Sequence, residues 1–579
     1  MKPYFLCSRR HEEAKSGLNM IRPPRYLGGY ILLLALCVSG GLVRAESFTN
    51  GMVSSAHPLA TEAGLNVLKS GGNAIDAAVG VGFTLGVVDS HNSGIGGGCF
   101  MLIRLANGKF VAIDGREMAP SAATRDMFLR DGKGDTELSQ TGPLASGVPG
   151  EVAAFDHVVK RHGKKKLKDL ILPAADIAEN GFAVTPGFVS RLQSAASDLA
   201  KFEASRAIFL PDGKPPKAGD ILKQADLAKT YRAIAKQGSD WFYRGDFAKA
   251  TGKWMKANGG IMTAADFKKY RIVLREPVRT TYHGREIVSF SPPSSGGVHV
   301  VQMLNILENF PLQMFDEPTR WHLIAETMKL AFADRAHWLG DPDYAKVPRG
   351  LVSKEYAATL AKQINSQRAS VVTQHGLPPG WERDLFEKHT THWSVADAEG
   401  NWVACTATIN TSYGSKVVIP GTGVVLNNEM DDFSVQPGVA NAFGLLGAEA
   451  NAVAPGKRPL SSMSPTIVLQ EGQPIIAIGA AGGPKIISAV LVQLVAMLDL
   501  GMTPAEAMAL PRLHQQWSPD ELMVEKALPA EVTAALEKRG HKIRELNSLS
   551  VAHTVARSAD GKSFVGAADP RAGGKAEGW

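Results

Sequence analysis

The chain has 579 residues, 44% of them hydrophobic and 21% charged; this excludes a single small binding module and leaves ample apolar material for a large core. Residues 1–45 hold seven Lys/Arg and two Asp/Glu, so residues 46–579, with 56 basic and 54 acidic side chains, carry only +2 of the total +7. That balance removes the electrostatic case for a nucleic-acid partner, and the length sets an expectation of about three or four domains.

In chain order, Arg22 and Arg25 precede the 17-residue apolar stretch Leu27 to Val43, which contains four glycines. A membrane-spanning helix needs about 20 apolar residues, and Val43-Arg44-Ala45 offers small or apolar residues at the two positions a signal peptidase reads. The expectation is a signal peptide over 1–45, cut before Glu46, with export to the periplasm or beyond and no stable membrane anchor. Met20, just ahead of this pattern, is an alternative start, and an uncleaved anchor is the competing reading. Cys7 and Cys37 leave with the leader. Cys99 and Cys405 are then expected as buried free thiols, a single bridge being the alternative.

Pro58 to Lys69 has helical spacing and ends at Gly71-Gly72, and Asn73 can cap a second helix to about Val88. Gly94 to Gly98 opens a strand, Cys99 to Leu105, which turns through Asn107-Gly108 into Phe110 to Asp114 and delivers Gly115-Arg116-Glu117. Residues 150–285 read mainly as helices, and Lys164-Lys165-Lys166 as a solvated loop. A second strand-rich block begins near Thr390, with a hairpin of His392 to Asp397 and Trp402 to Ile409. Val424 to Asn427 reads as a further strand, and Thr466 to Leu469 with Ile475 to Ile478 as another hairpin. Gly482-Gly483 stands directly before an apolar helix, Ile486 to Leu500, and Thr503-Pro504 caps and starts the next. Hairpins and helices interspersed in both halves predict two antiparallel sheets covered by helices.

The run His389-Thr390-Thr391-His392-Trp393-Ser394-Val395, with Gly400-Asn401, Thr406, Thr408, Asn410 and Tyr413-Gly414, resembles the signature of the γ-glutamyltranspeptidase family. Matching blocks recur at 94–98, 114–120, 292–297, 339–342, 427–433, 457–465 and 569–571, so the resemblance covers about residues 47–579. It implies an α+β fold, the four-layer αββα sandwich of N-terminal nucleophile hydrolases. It also implies a precursor cut between His389 and Thr390 into a large subunit, 46–389, and a small catalytic subunit, 390–579, that stay together as a heterodimer.

The resemblance makes Thr390 the nucleophile. Once its amide is freed, its own α-amine, with an ordinary pKa of about 7.7–8.0, serves as the base for its hydroxyl. By the same resemblance Thr408 positions that hydroxyl, and Gly482 and Gly483 supply oxyanion-binding amides, glycine permitting the close approach. A γ-glutamyl group ends in a carboxylate and an ammonium. Arg116 can fork onto the first and Asp432 can pair with the second, and the family adds Ser461 and Ser462 for the carboxylate and Asn410 and Glu429 for the amino-acid head. A lid is expected over Gln436 to Arg458, with Phe443 where the family usually carries tyrosine. His389 and His392, three apart on a strand, would face opposite ways, so no metal is expected. The absence of phosphate-binding and dinucleotide motifs leaves no cofactor implied.

The implied activity is that of a γ-glutamyltransferase and glutathione hydrolase, whose acyl group passes to water or to an amino-acid or peptide acceptor. Two alternatives stand beside it: a glutaryl-type β-lactam acylase of the same fold, and a non-catalytic homologue that binds γ-glutamyl peptides.

Overall fold

The computed structural model describes residues 46–382, 384–386 and 394–579. Strand β1, Gly51–Ser55, leads into α1, Pro58–Lys69, whose start is fixed by Pro58 in the first turn and by the His57 ring accepting from the Leu59 amide. Asn73 and Asp76 form the reciprocal capping box that begins α2, Ala74–Val88. The two helices pack closely through Gly64, where a Cβ would lie 2.7 Å from the Val81 side chain. The remaining elements that build the sandwich are β2 (Gly98–Arg104), β3 (Phe110–Gly115), α3 (Glu151–His162), α4 (Leu167–Asn180), β4 (Val273–Arg275), β5 (Val278–Tyr282), β6 (Arg285–Ser289), α5 (Gly296–Leu307) and α6 (Glu317–Trp338). They continue with β7 (Ser394–Asp397), β8 (Trp402–Thr408), β9 (Thr466–Gln470), β10 (Gln473–Ala481), α7 (Lys485–Leu498), α8 (Pro504–Ala509), β11 (Val551–Arg557), β12 (Phe564–Ala568) and β13 (Lys575–Gly578).

One seven-stranded sheet has the order β13-β1-β7-β8-β2-β3-β4 and a six-stranded sheet the order β12-β11-β10-β9-β6-β5. Every pairing within these two sheets is antiparallel. The period-two alternation of the strands sorts their side chains into layers. On β2, Cys99, Met101 and Ile103 join the core formed with α1 to α4, while Leu102 turns inward. On β10, Ile476, Ile478 and Ala480 face α5, α6 and α7, while Ala477 turns inward. Leu102, Trp402 and Ala404 of the first sheet meet Ile467, Leu469, Ala477 and Val555 of the second in the shared central core. The architecture is therefore the expected α+β sandwich of four layers, helices outside and two sheets inside.

Two expectations are corrected. Val424 to Asn427 is not a strand: it makes one isolated bridge, Val418 with Val425, and owes its apolar character to packing against the α1 to α4 layer. Nor do residues beyond the leader divide into three or four domains. Ser47–Trp579 form a single unit, because β13, from the end of the chain, pairs with β1, from its beginning. Cys99 and Cys405 are buried free thiols. The leader, residues 1–45, lies outside the described residues, and no helix among the described ones is long and apolar enough to cross a membrane.

Candidate active site

Arg116 leaves the end of β3 with its backbone fixed by a hydrogen bond from its own N–H to the Asp114 carboxylate. Its guanidinium is buried, and each nitrogen is engaged. Nη1 lies 2.7 Å from Glu429, Nη2 donates to Asp432 at 2.6 Å, and Nε donates to the Pro459 carbonyl at 3.1 Å. Glu117 stands 3.8 Å from the same group. Burial raises the pKa values of Glu117, Glu429 and Asp432 even though Arg116 pulls each down. Three carboxyl groups around one guanidinium make a region with more acid than base.

Glu429 and Asp432 belong to one turn of 3-10 helix, Glu429–Asp432. The Asn441 side-chain amide reaches Asp432 at 3.3 Å, while its carbonyl oxygen accepts from the backbone of Phe443 and Leu445. Asn441 therefore ties the segment after Asp432 to the acidic cluster, and Gln516 holds its far side by donating to the Gly444 carbonyl. The Phe443 ring consequently rests on Gly483, where a Cβ would come within 2.6 Å of the ring. These contacts fall within Gln436 to Arg458, the segment over which the resemblance implies a lid.

Gly482 and Gly483 follow β10 and precede α7, at φ +138° and +60°. Neither of their amides donates a backbone hydrogen bond among the described residues. Two unspent N–H groups at a strand-to-helix turn suit a developing oxyanion. Thr408 ends β8 opposite Gly98, and its hydroxyl oxygen accepts from the Asn410 amide at 2.7 Å. Asn410, at φ +76°, donates from its side chain to the Asn428 carbonyl, next to Glu429.

Ser461 and Ser462 differ in what they offer. Ser461 is locked into the loop, its carbonyl taking both the amide and the hydroxyl of Ser295, and its hydroxyl oxygen accepting from the Met463 amide. The Ser462 hydroxyl instead accepts from Arg335 at 3.1 Å. The cleft beside these groups is lined by Arg335, Asp432, Asn441, Leu445 and Leu460. Sequence reasoning passed over Arg335 and Asn441. The only signal was position: Arg335 lies just ahead of the Leu339-Gly340-Asp341-Pro342 block, and Asn441 lies within the lid segment.

His389 and Thr390, the expected cleavage pair, and His392 lie outside the described residues. The other expected site residues fall into two linked groups. Arg116, Glu429 and Asp432 share one ionic cluster that Asn410 adjoins, while Phe443 joins that cluster's loop to Gly483. Among the described residues, one group has metal-ligand character: His322, Glu326 and His541, with ligand atoms within 4.8 Å of one another. The two rings are closed on each other by a 2.7 Å hydrogen bond, and Lys329 stands 3.3 Å from Glu326.

The profile of the family described as Gamma-glutamyltranspeptidase matches residues 60–579. Over 534 residues the chain is 45% identical to the glutathione hydrolase proenzyme of Escherichia coli K12, with 91% of each chain covered. Among solved structures it resembles the cephalosporin acylase from Bacillus halodurans, with a TM-score of 0.83, 28% identity, and 92% of this chain and 97% of that one covered. It also resembles the γ-glutamyltranspeptidase of Helicobacter pylori, with a TM-score of 0.56, 42% identity, and 58% of this chain and 97% of that one covered.

Proposed function

The chain belongs to the γ-glutamyltranspeptidase family, and from that premise we propose how this self-processing γ-glutamyltransferase and glutathione hydrolase works. The observation that carries the reading is the pairing of an acid-rich cluster, Glu429 and Asp432 on Arg116, with the unspent amides of Gly482 and Gly483 under Phe443. The first suits the ammonium-bearing head of a γ-glutamyl group; the second suits the carbonyl that is attacked.

Thr390 is the nucleophile in this mechanism. Along the described hairpin, Ser394 pairs with Ala404 and Val395 with Val403. In the precursor the Thr390 hydroxyl attacks the His389 carbonyl, the peptide nitrogen leaves as the new α-amine of Thr390, and water hydrolyses the ester. In the mature protein that amine takes the hydroxyl proton as the oxygen attacks the γ-amide carbon. Gly482 and Gly483 donate to the oxyanion, a γ-glutamyl ester forms, and the proton passes to the departing amine. Water, or the amine of an amino acid or peptide, then attacks the ester and regenerates Thr390.

The likeness to a cephalosporin acylase raises the glutaryl alternative. A glutaryl group brings no ammonium to the carboxyl-rich cluster, and this disfavours that reading. We extend the proposal to export by way of the leader, with mature subunits 46–389 and 390–579.

The test is nitroaniline release from γ-glutamyl-p-nitroanilide, with and without glycylglycine, by the purified protein and by Thr390→Ala. Release should be lost in the variant, a fall of at least about 10³-fold by analogy with other nucleophile deletions, and glycylglycine should accelerate it in the parent. Equal release by the uncut variant would sink the mechanism.

A further inference from the structure

Two non-glycine residues just after Thr408 hold left-handed backbone, Asn410 at φ +76° and Tyr413 at φ +60°. Such conformations are costly and persist only where the surrounding structure fixes them. The turn that joins α2 to the Gly94 to Gly98 loop does this from one side. Its Asn92 carbonyl accepts from the Ile409 amide at 3.1 Å, and its His91 carbonyl accepts from the Tyr413 amide at 2.9 Å. The segment so held carries the site: the Asn410 amide donates to the Thr408 hydroxyl oxygen, and the Ile409 carbonyl accepts from the Asn428 amide next to Glu429.

The turn itself hangs on Asp89. The Asp89 carbonyl accepts from the amides of Asn92 and Ser93, at 2.8 and 3.3 Å. Its carboxylate accepts from the Asn92 side-chain amide at 3.0 Å and lies 3.2 Å from His91 Nε2. The side chain is only 15% exposed. Three other groups face this pair. Arg191, exposed on the helix Pro186–Leu199, acts on both through its field; His57 acts on His91; and the Tyr413 hydroxyl, which has no hydrogen-bond partner among the described residues, feels Asp89. Burial pushes the Asp89 carboxyl up to about 7 against the pull of Asn92 and Arg191. Burial, Arg191 and His57 push the His91 imidazole down to about 3, so it is neutral and can donate from Nε2 to the ionised carboxylate.

We infer that Asp89 is a positioning residue whose carboxylate, by gripping Asn92 and His91, sets the segment Ile409 to Tyr413 and with it the Thr408 hydroxyl and the Asn410 side chain. This rests on the γ-glutamyl reading above and adds to it a residue that acts on the reaction without touching the substrate. The ionised carboxylate accepts from both neighbours, whereas a protonated one surrenders acceptor capacity. The grip is therefore complete above about pH 7 and weakens as the pH falls through that value. Stability runs the other way. An acid whose folded pKa is raised above its unfolded value costs the fold stability as the pH climbs from the unfolded value to the folded one, so the ionised Asp89 serves the site at the expense of the fold.

The experiment measures kcat and KM for γ-glutamyl-p-nitroanilide across the neutral range, on the mature parent protein, Asp89→Asn and Asn92→Ala, with cleavage before Thr390 and the melting temperature followed for each. Asp89→Asn keeps the shape of the carboxyl group but holds it neutral at every pH. The Thr390 amine titrates in parent and variant alike, so the ratio of their kcat values isolates Asp89. That ratio should reach about 10-fold well above pH 7, the scale of a small misplacement of a reacting group, and should fall toward one well below it, with KM changed less. Asn92→Ala, which deletes the donor at an exposed position, should lose a smaller part with the same pH dependence. The melting temperature of Asp89→Asn well above pH 7 should not fall below the parent's. A kcat ratio equal at every pH, accompanied by a lower melting temperature, would make Asp89 merely structural and overturn the assignment. Should Asp89→Asn fail to mature, a pH-independent ratio in Asn92→Ala would overturn it equally. A parent protein that releases nothing at any pH would remove the γ-glutamyl reading itself, an outcome distinct from a flat ratio.

Discussion

Gly483 shows how narrow the chemical end of the pocket is. Its φ of +60° is one that only glycine adopts without cost, and a Cβ there would press on the Phe443 ring at 2.6 Å. If the Gly483 amide binds the oxyanion as proposed, Gly483→Ala is expected to disturb it and lower kcat by about 10²-fold, with a smaller change in KM. Phe443→Ala in the same chain removes the atoms the new methyl would strike and should recover part of that loss. Steady-state kinetics on the single and double variants read the coupling, and additive losses would mean that ring and glycine do not meet in the working enzyme. At this scale the motif residues were legible in the sequence, because a signature fixes residue types at set spacings. The partner of each was not legible. That Arg116 is consumed by Glu429 and Asp432, while among the described residues no carboxylate is in ion-pair contact with Arg335, depends on how segments far apart in the chain are brought together. Helix periodicity could not single out Arg335 either, because α6 buries polar and apolar residues alike: His322, Glu326, Lys329 and Asp334 are as enclosed as Leu323.

At the scale of elements, the end of β3 is what aims Arg116. Asp114 accepts from the Arg116 amide, from Arg275 through both Nε and Nη2, and from Arg458. Burial acts to raise its pKa, but Arg458 and Arg275 outweigh burial and hold the carboxyl below its ordinary range. A carboxyl whose folded pKa is depressed contributes stability in full above its unfolded value, about 3.9, and loses it as the pH falls through the folded pKa. Asp114→Ala should thus cost about 3–5 kcal/mol at pH 7, the usual result of stranding buried cations, with the gap to the parent narrowing in acid. Denaturant unfolding at pH 7 and below pH 4 measures this, and a gap independent of pH would show that the charge is not its source. Element boundaries were largely readable, since caps such as Asn73 and Thr503 and turns such as Asn107-Gly108 act locally. Val424 to Asn427 misled because an apolar run reports burial, not ladder pairing.

For the molecule as a whole, neither sheet is built from one side of residue 390. In the first, β7 lies between β1 and β8, and β8 between β7 and β2; in the second, β9 pairs with β6. Interspersed hairpins and helices made the two-sheet design legible, whereas the number of domains was not, because no local signal announces that the last strand will pair with the first. A cut before Thr390 leaves two chains interleaved through both sheets and the common core, so they should stay associated without any covalent link. The account depends most on Thr390 becoming the first residue of the second chain and carrying the acyl group. Mass spectrometry of mature protein quenched in acid during turnover of a γ-glutamyl donor tests this directly. The account predicts two co-purifying chains, the smaller beginning at Thr390 and gaining one γ-glutamyl group on that residue. A full-length, uncut chain with undiminished activity, or an acyl group on any other residue, would contradict it.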